Sequence, residues 1–137
     1  MVNLIVNDPQ PFITWLKKKI NIDKIQGEDQ AQAYGFMRDD RIVGAFVFSE
    51  YTGHDVHMHC ASIDPRIFQR RYFKQMFDYC FEMLNVQRVS AMCNESNGRS
   101  KKLIEGVGFQ QEGRLRRYFG NEDALVYGLL KEDMRMI

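Results

Sequence analysis

Hydrophobic positions along the chain change period, and each change marks an element. Pro9 and Pro11 open a segment, Phe12–Ile20, in which Phe12, Ile13, Leu16 and Ile20 form one stripe. Trp15 edges that stripe and Lys17, Lys18 and Lys19 face water, which predicts an amphipathic helix. Asn21–Gln32 is polar and aperiodic and reads as loop. Three strands follow, Ala33–Arg38, Ile42–Glu50 and Val56–Ile63. Asp39-Asp40 makes the first two a hairpin, and Thr52-Gly53-His54-Asp55 is the next turn. Asp64-Pro65 ends the third strand.

The period then becomes helical from Gln69 to Leu84. Phe73, Phe77, Cys80 and Leu84 form one stripe and Tyr72, Met76, Tyr79 and Met83 the next, so a broad face packs on a sheet. Val86–Cys93 reads as a central strand. A short helix follows, capped by Asn97 or Ser96, with Leu103, Ile104 and Val107 on its apolar face and Gly108 as its stop. Gln110–Tyr118 and Leu125–Leu130 are the last strands, joined at Gly120-Asn121-Glu122-Asp123. The order predicts one α/β domain over residues 1–137 (α+β in some schemes). It has a mixed, mostly antiparallel central sheet of six to seven strands flanked by helices.

The composition fits this picture. At 137 residues and 45% hydrophobic content, the chain is one ordinary globular domain. No apolar run approaches the roughly 18 residues of a membrane span. The opening MVNLIVNDPQ has no basic region or cleavage site, so no secretory signal is read. Cys60, Cys80 and Cys93 are an odd count at unrelated spacings, which suits reduced thiols in a cytoplasmic protein. The net charge of +1 hides a division: Pro65–Phe119 carries 11 Lys/Arg against 5 Asp/Glu. A phosphate-bearing ligand or a nucleic acid would account for it.

With N-x-x-S opening the short helix, L-I-E-G-V-G-F closing it, E-G-R-L-R-R after it and D-A-L-V-Y-G on the last strand, the chain resembles the GNAT acyltransferase superfamily. The branch it resembles is that of the ribosomal-protein and small-amine N-acetyltransferases. The match is most specific over Val86–Leu130. One departure stands out. The family carries a loop Q/R-x-x-G-x-G/A that holds the acyl-CoA pyrophosphate, and its glycines let backbone N–H groups approach the phosphates. Here the segment is Arg66-Ile67-Phe68-Gln69-Arg70-Arg71, as glycine-poor as in some phage- and prophage-borne members. Either the pyrophosphate site is lost, or the backbone at Gln69–Arg71 still cradles phosphate and Arg70 and Arg71 add charge.

The resemblance implies direct acetyl transfer from acetyl-CoA to a primary amine, of a protein N-terminus or a small molecule. Backbone N–H groups at about Ala61, Ser62 and Ile63 would polarise the thioester carbonyl. Asn97 would hold the pantetheine arm. Ser100, with Tyr118 as second choice, would serve the departing thiolate. For the proton on the amine, the third strand offers His57 and His59 on one face, and Glu50 could act through water. The sequence does not choose between the two histidines.

Two other chemistries have residues that could serve them. His54, His57, His59 and Cys60 suggest a metal, but Cys60 points to the opposite face from His57 and His59, so no metal is expected. The clusters Arg70–Lys74 and Arg114–Tyr118 interleave basic and aromatic residues as single-strand binders do. The first coincides with the CoA phosphate position, which favours CoA over nucleic acid. The alternative reading is a non-catalytic CoA-binding or nucleic-acid-binding module on a degenerate GNAT fold. Exposed sheet edges leave a homodimer open.

Overall fold

The computed structural model describes residues 2–135; Met1, Met136 and Ile137, at the ends of the expected domain, lie outside the described residues. Seven strands form one mixed sheet in the order β1-β2-β3-β4-β5-β7-β6. They are β1 (Asn3–Ile5), β2 (Gln32–Arg38), β3 (Arg41–Ser49), β4 (Asp55–Ser62), β5 (Arg88–Asn94), β6 (Gln110–Leu115) and β7 (Ala124–Leu130). Only the β4–β5 pair is parallel; every other neighbouring pair is antiparallel. The strand missed in the sequence is β1, three residues too short to show a period, which pairs along the outer edge of β2.

Helix α1 (Pro9–Lys19) covers one face of the sheet. Its Phe12, Ile13 and Leu16 pack with Ile25, Ala33, Ala45 and Val47. The Phe12 ring lies where a Cβ on Gly35 would stand, 2.3 Å from it, so a side chain at 35 would lift α1 off the sheet. Helices α2 (Arg70–Asp78) and α3 (Gly98–Val107) share the opposite face over the larger core of Phe36, Phe46, Phe73, Phe77, Val89 and Tyr127. Edge-to-face contacts at 4.9 Å between Phe36 and Tyr72, and 5.9 Å between Phe46 and Phe73, tie α2 to the sheet.

The long helix departs from expectation at its end. After Asp78 the chain widens into a π turn over Tyr79–Met83, with the Leu84 N–H donating to the Tyr79 carbonyl at 2.9 Å. The extra residue rotates the face. Phe81 turns into the core, and Met83, expected on the packed stripe, is 77% exposed.

Candidate active site

The parallel ladder between β4 and β5 is short. It runs from Asp55↔Arg88 to Met58↔Ala91 and stops, although both strands continue. Beyond that point β4 stays on β3 and β5 stays on β7, so a wedge opens between His59–Ser62 and Met92–Asn94. Two adjoining recesses, about 640 and 330 Å³, fill this wedge and share Lys19, Ile20, Cys60, Asn97 and Ser100. The end of α1 forms one wall, the start of α3 another, and the β6–β7 loop the third.

Strand alternation decides which backbone groups face the wedge. The Ile63 N–H donates to the Val43 carbonyl at 2.9 Å, toward β3. Ala61 and His59 lie on that same phase, while Cys60 and Ser62 point their N–H groups the other way, into the wedge. Of the three expected donors, therefore, Ser62 faces the opening, Ile63 is committed to β3 and Ala61 points toward β3. Cys60, which the sequence reading considered only as a reduced thiol or a metal ligand, takes a donor position.

The two helix N-termini at the wedge differ. On α3, the Asn97 side chain accepts the Ser100 N–H at 3.1 Å and so fills part of the anion-receptive end. The cap alternative Ser96 instead bonds to the Asn94 side chain. The Ser100 hydroxyl and the Asn97 amide nitrogen make no hydrogen bond among the described residues, and both residues line the two recesses. On α2, Gln69 stands at the N-cap without a side-chain cap; its amide reaches back to the Arg66 carbonyl at 2.6 Å. Arg71 folds onto its neighbour, with its guanidinium 4.8 Å from the Tyr72 ring centre. Arg70 is exposed and forms no ion pair among the described residues. None of Gln69, Arg70 or Arg71 lines the recesses; Phe68, just before them, does.

The histidines separate. His59 lines the larger recess, and its Nε2 is sealed from solvent with no partner among the described residues. Burial, with a smaller contribution from His57, pushes its imidazole down to about 4, so it is neutral at neutral pH. His57 sits above the wedge, where β4 and β5 are still paired. Its Nδ1 lies 3.4 Å from Glu50 and its Nε2 3.3 Å from Asp55. Neither His57 nor Glu50 lines the wedge. Burial also pushes the Cys60 thiol up to about 12, which removes it as a nucleophile at neutral pH. No group of three or more His, Cys, Asp or Glu among the described residues is arranged to hold a metal.

The second basic cluster is partly spent inside the fold. Arg114 is held between Glu95 and Asp123, leaving Arg116 and Arg117 exposed. No helix among the described residues is long and apolar enough to cross a membrane.

No protein-family model matches the chain. An uncharacterized N-acetyltransferase of Bacillus subtilis (strain 168), YnaD, is 24% identical over 140 residues, spanning 96% of this chain and 82% of the relative. Among solved structures, a dodecameric spermidine N-acetyltransferase from Vibrio cholerae superposes with a TM-score of 0.72 at 16% identity, covering 96% of this chain and 94% of that one. A probable acetyltransferase of known structure gives 0.72 at 16%, covering 96% and 93%. The seven-stranded mixed sheet flanked by helices superposes on these acetyltransferases over nearly its whole length: the chain has the GNAT acetyltransferase fold.

Proposed function

We propose that the protein transfers an acetyl group from acetyl-CoA directly to a primary amine. The observation that carries this reading is the wedge itself. The unspent N–H groups of Cys60 and Ser62 face the Ser100 end of α3 across a cleft open to solvent. Donors fixed in a strand cost no reorganisation when negative charge grows on a thioester oxygen between them. The uncapped start of α2, with Arg70 unpaired beside it, supports phosphate binding by backbone N–H groups without glycine. The free amide of Asn97 suits the polar pantetheine arm.

In this reading the amine nitrogen attacks the thioester carbon, the C–N bond forms and the C–S bond breaks. The Ser100 hydroxyl donates a hydrogen bond to the departing sulfur. The amine's proton leaves through water in the open cleft, and a proton returns to the thiolate. Neutral His59 lines the larger recess, which takes the acceptor in this reading, and orients rather than retains a proton, since a base near 4 cannot hold one at neutral pH. The unreactive Cys60 thiol favours direct transfer over an acyl-enzyme. The three free cysteines support a reducing, cytoplasmic setting, where acetyl-CoA is available.

Acetyl-CoA should raise the melting temperature of the wild-type protein. Ser100→Ala should lower kcat for an accepted amine by about tenfold or more while leaving acetyl-CoA affinity unchanged. No thermal shift with millimolar acetyl-CoA or CoA would overturn the reading in favour of a module that binds something else. Binding without turnover on any primary amine would favour a non-catalytic CoA-binding module.

A further inference from the structure

Glu122 is the one carboxylate that lines either recess among the described residues. It is built into place. The Phe119 N–H donates to the Glu122 carbonyl at 3.1 Å, closing the turn between β6 and β7, and Arg117 and Gly120 take positive φ to make that turn. Asp123, next in the chain, accepts the Arg117 N–H at 2.8 Å and pairs with Arg114, which anchors the turn to Glu95 beyond β5. The Asn94 amide, on β5, then donates to Glu122 Oε2 at 3.0 Å and aims the carboxylate across the opening. Its Oε1 has no partner, and no cation pairs with it among the described residues. The nearby acids Glu95 and Asp123 both have theirs.

We propose that Glu122 is the anchor for the acceptor's ammonium, and that the acceptor carries one positive charge on an otherwise uncharged, partly apolar body. This rests on the acetyl-transfer reading for its function, though not for the binding it asserts. A carboxylate held at one oxygen and vacant at the other is a receptor for one N–H-bearing cation. A second cation on the same molecule would find no second carboxylate in the wedge. It would meet Lys19, which lines both recesses with its ammonium 5.5 Å from the Trp15 ring and no acidic partner among the described residues. The acidic group formed by Glu50 and Asp55 lies outside the wedge and is occupied by His57 and Arg88. The remaining lining of the acceptor side is uncharged, with half-exposed Tyr118 in edge-to-face contact with Phe119 at 5.1 Å. Tyr118 and Phe119 suit an aryl-alkyl body, while the polar walls such as Asn21 and Asn121 offer a polyamine's second ammonium no counter-charge.

The test is titration calorimetry of the whole chain with phenethylamine, spermidine and acetyl-CoA, for the wild type, Glu122→Gln and Glu122→Asp. Phenethylamine should bind the wild type more tightly than spermidine does. Glu122→Gln, which keeps the Asn94 contact, should weaken phenethylamine by about tenfold or more. Glu122→Asp should recover part of that loss, and acetyl-CoA affinity should stay the same in all three. An unchanged phenethylamine Kd in Glu122→Gln, or tighter binding of spermidine by the wild type, would overturn the proposal. Amine binding that depends on Glu122 with no acetyl-CoA binding would uphold the anchor and sink the transferase reading instead.

Discussion

His57 and His59 share one face of one strand, yet they stand in two different kinds of place. At His57 the strands β4 and β5 are hydrogen-bonded, and the face above them is closed by charge. Glu50 and Asp55 flank the imidazole, the Ser90 hydroxyl donates to Asp55 at 2.8 Å, and Arg88 joins Ser90, Asp55 and Glu112. At His59 the partner strand has left. The ring borders a cleft, its Nε2 is dry and unpaired among the described residues, and burial, helped by His57, depresses its basicity. Side-chain chemistry is identical at the two positions, so the end of the β4–β5 ladder decides the difference. Above it the polar groups are satisfied and add order; below it the His59 Nε2 is left buried without a partner among the described residues.

The largest consequence is the contribution of His59 to the pH dependence of stability. Its folded value of about 4 lies below the ordinary 6.5. As pH falls, the unfolded chain takes up this proton first, so the contribution to stability is fully present above about 6.5 and is lost as pH falls toward 4. The shift corresponds to a loss on the order of 3 kcal/mol. Urea denaturation near pH 7 and near pH 4.5 should show it in the wild type. Carboxylates will add their own acid sensitivity to every variant, so the informative quantity is the difference from His59→Gln, which should lose less on acidification. Equal losses in the two proteins would place His59 in a wetter site than its geometry indicates.

The second consequence is kinetic and smaller. With any accepted amine, His59→Gln should lower kcat/KM by about tenfold, the scale of a misplaced positioning contact. His57→Gln should change it by no more than about twofold, because His57 borders neither recess. The reverse order would move the reacting centre up the strand and restore Glu50 and His57 to the chemistry.

Neither histidine's surroundings were legible in the sequence, and the reason is physical. Alternation along Val56–Ile63 correctly puts the two on one face, but period alone says nothing of where a parallel neighbour departs. That departure depends on β5 following β7, a pairing between residues far apart in the chain. The elements fared better because their signals are local. Asp39 and Asp40 both take positive φ in the hairpin turn, and Gly108 takes φ 121° at the end of α3. There the last segment packs so closely that a Cβ would fall 2.1 Å from the Asp133 carbonyl oxygen. Of the two caps the sequence offered, Asn97 and Ser96, the fold uses Asn97, and Gln69–Arg71 is a helix start as expected, while the π turn after Asp78 and the placement of Glu122 were invisible. Glu122 sits in an ordinary turn sequence, and only the fold carries that turn over Asn94 and the wedge.

The smallest effect tests whether the upper region is as closed as it looks. Arg88 Nη2 and Glu112 Oε1 lie 2.7 Å apart, crossing above Gly128, where a Cβ would fall within 2.4 Å of Arg88 and 2.5 Å of Glu112. The pair is short, but both side chains reach water, Arg88 at 31% and Glu112 at 43% exposure. Exposed pairs are screened and lose side-chain entropy, so the coupling between Arg88→Met and Glu112→Gln in a double-mutant cycle should be roughly 0.5 kcal/mol. It should also shrink in molar salt, since nothing shields the pair from mobile ions. A coupling above about 2 kcal/mol that salt does not touch would mean the network acts as a unit, gripping β4, β5 and β6 together. The edge where the ladder ends would then be held from above, and the wedge below it would owe its shape to this network as much as to the divergence of the strands.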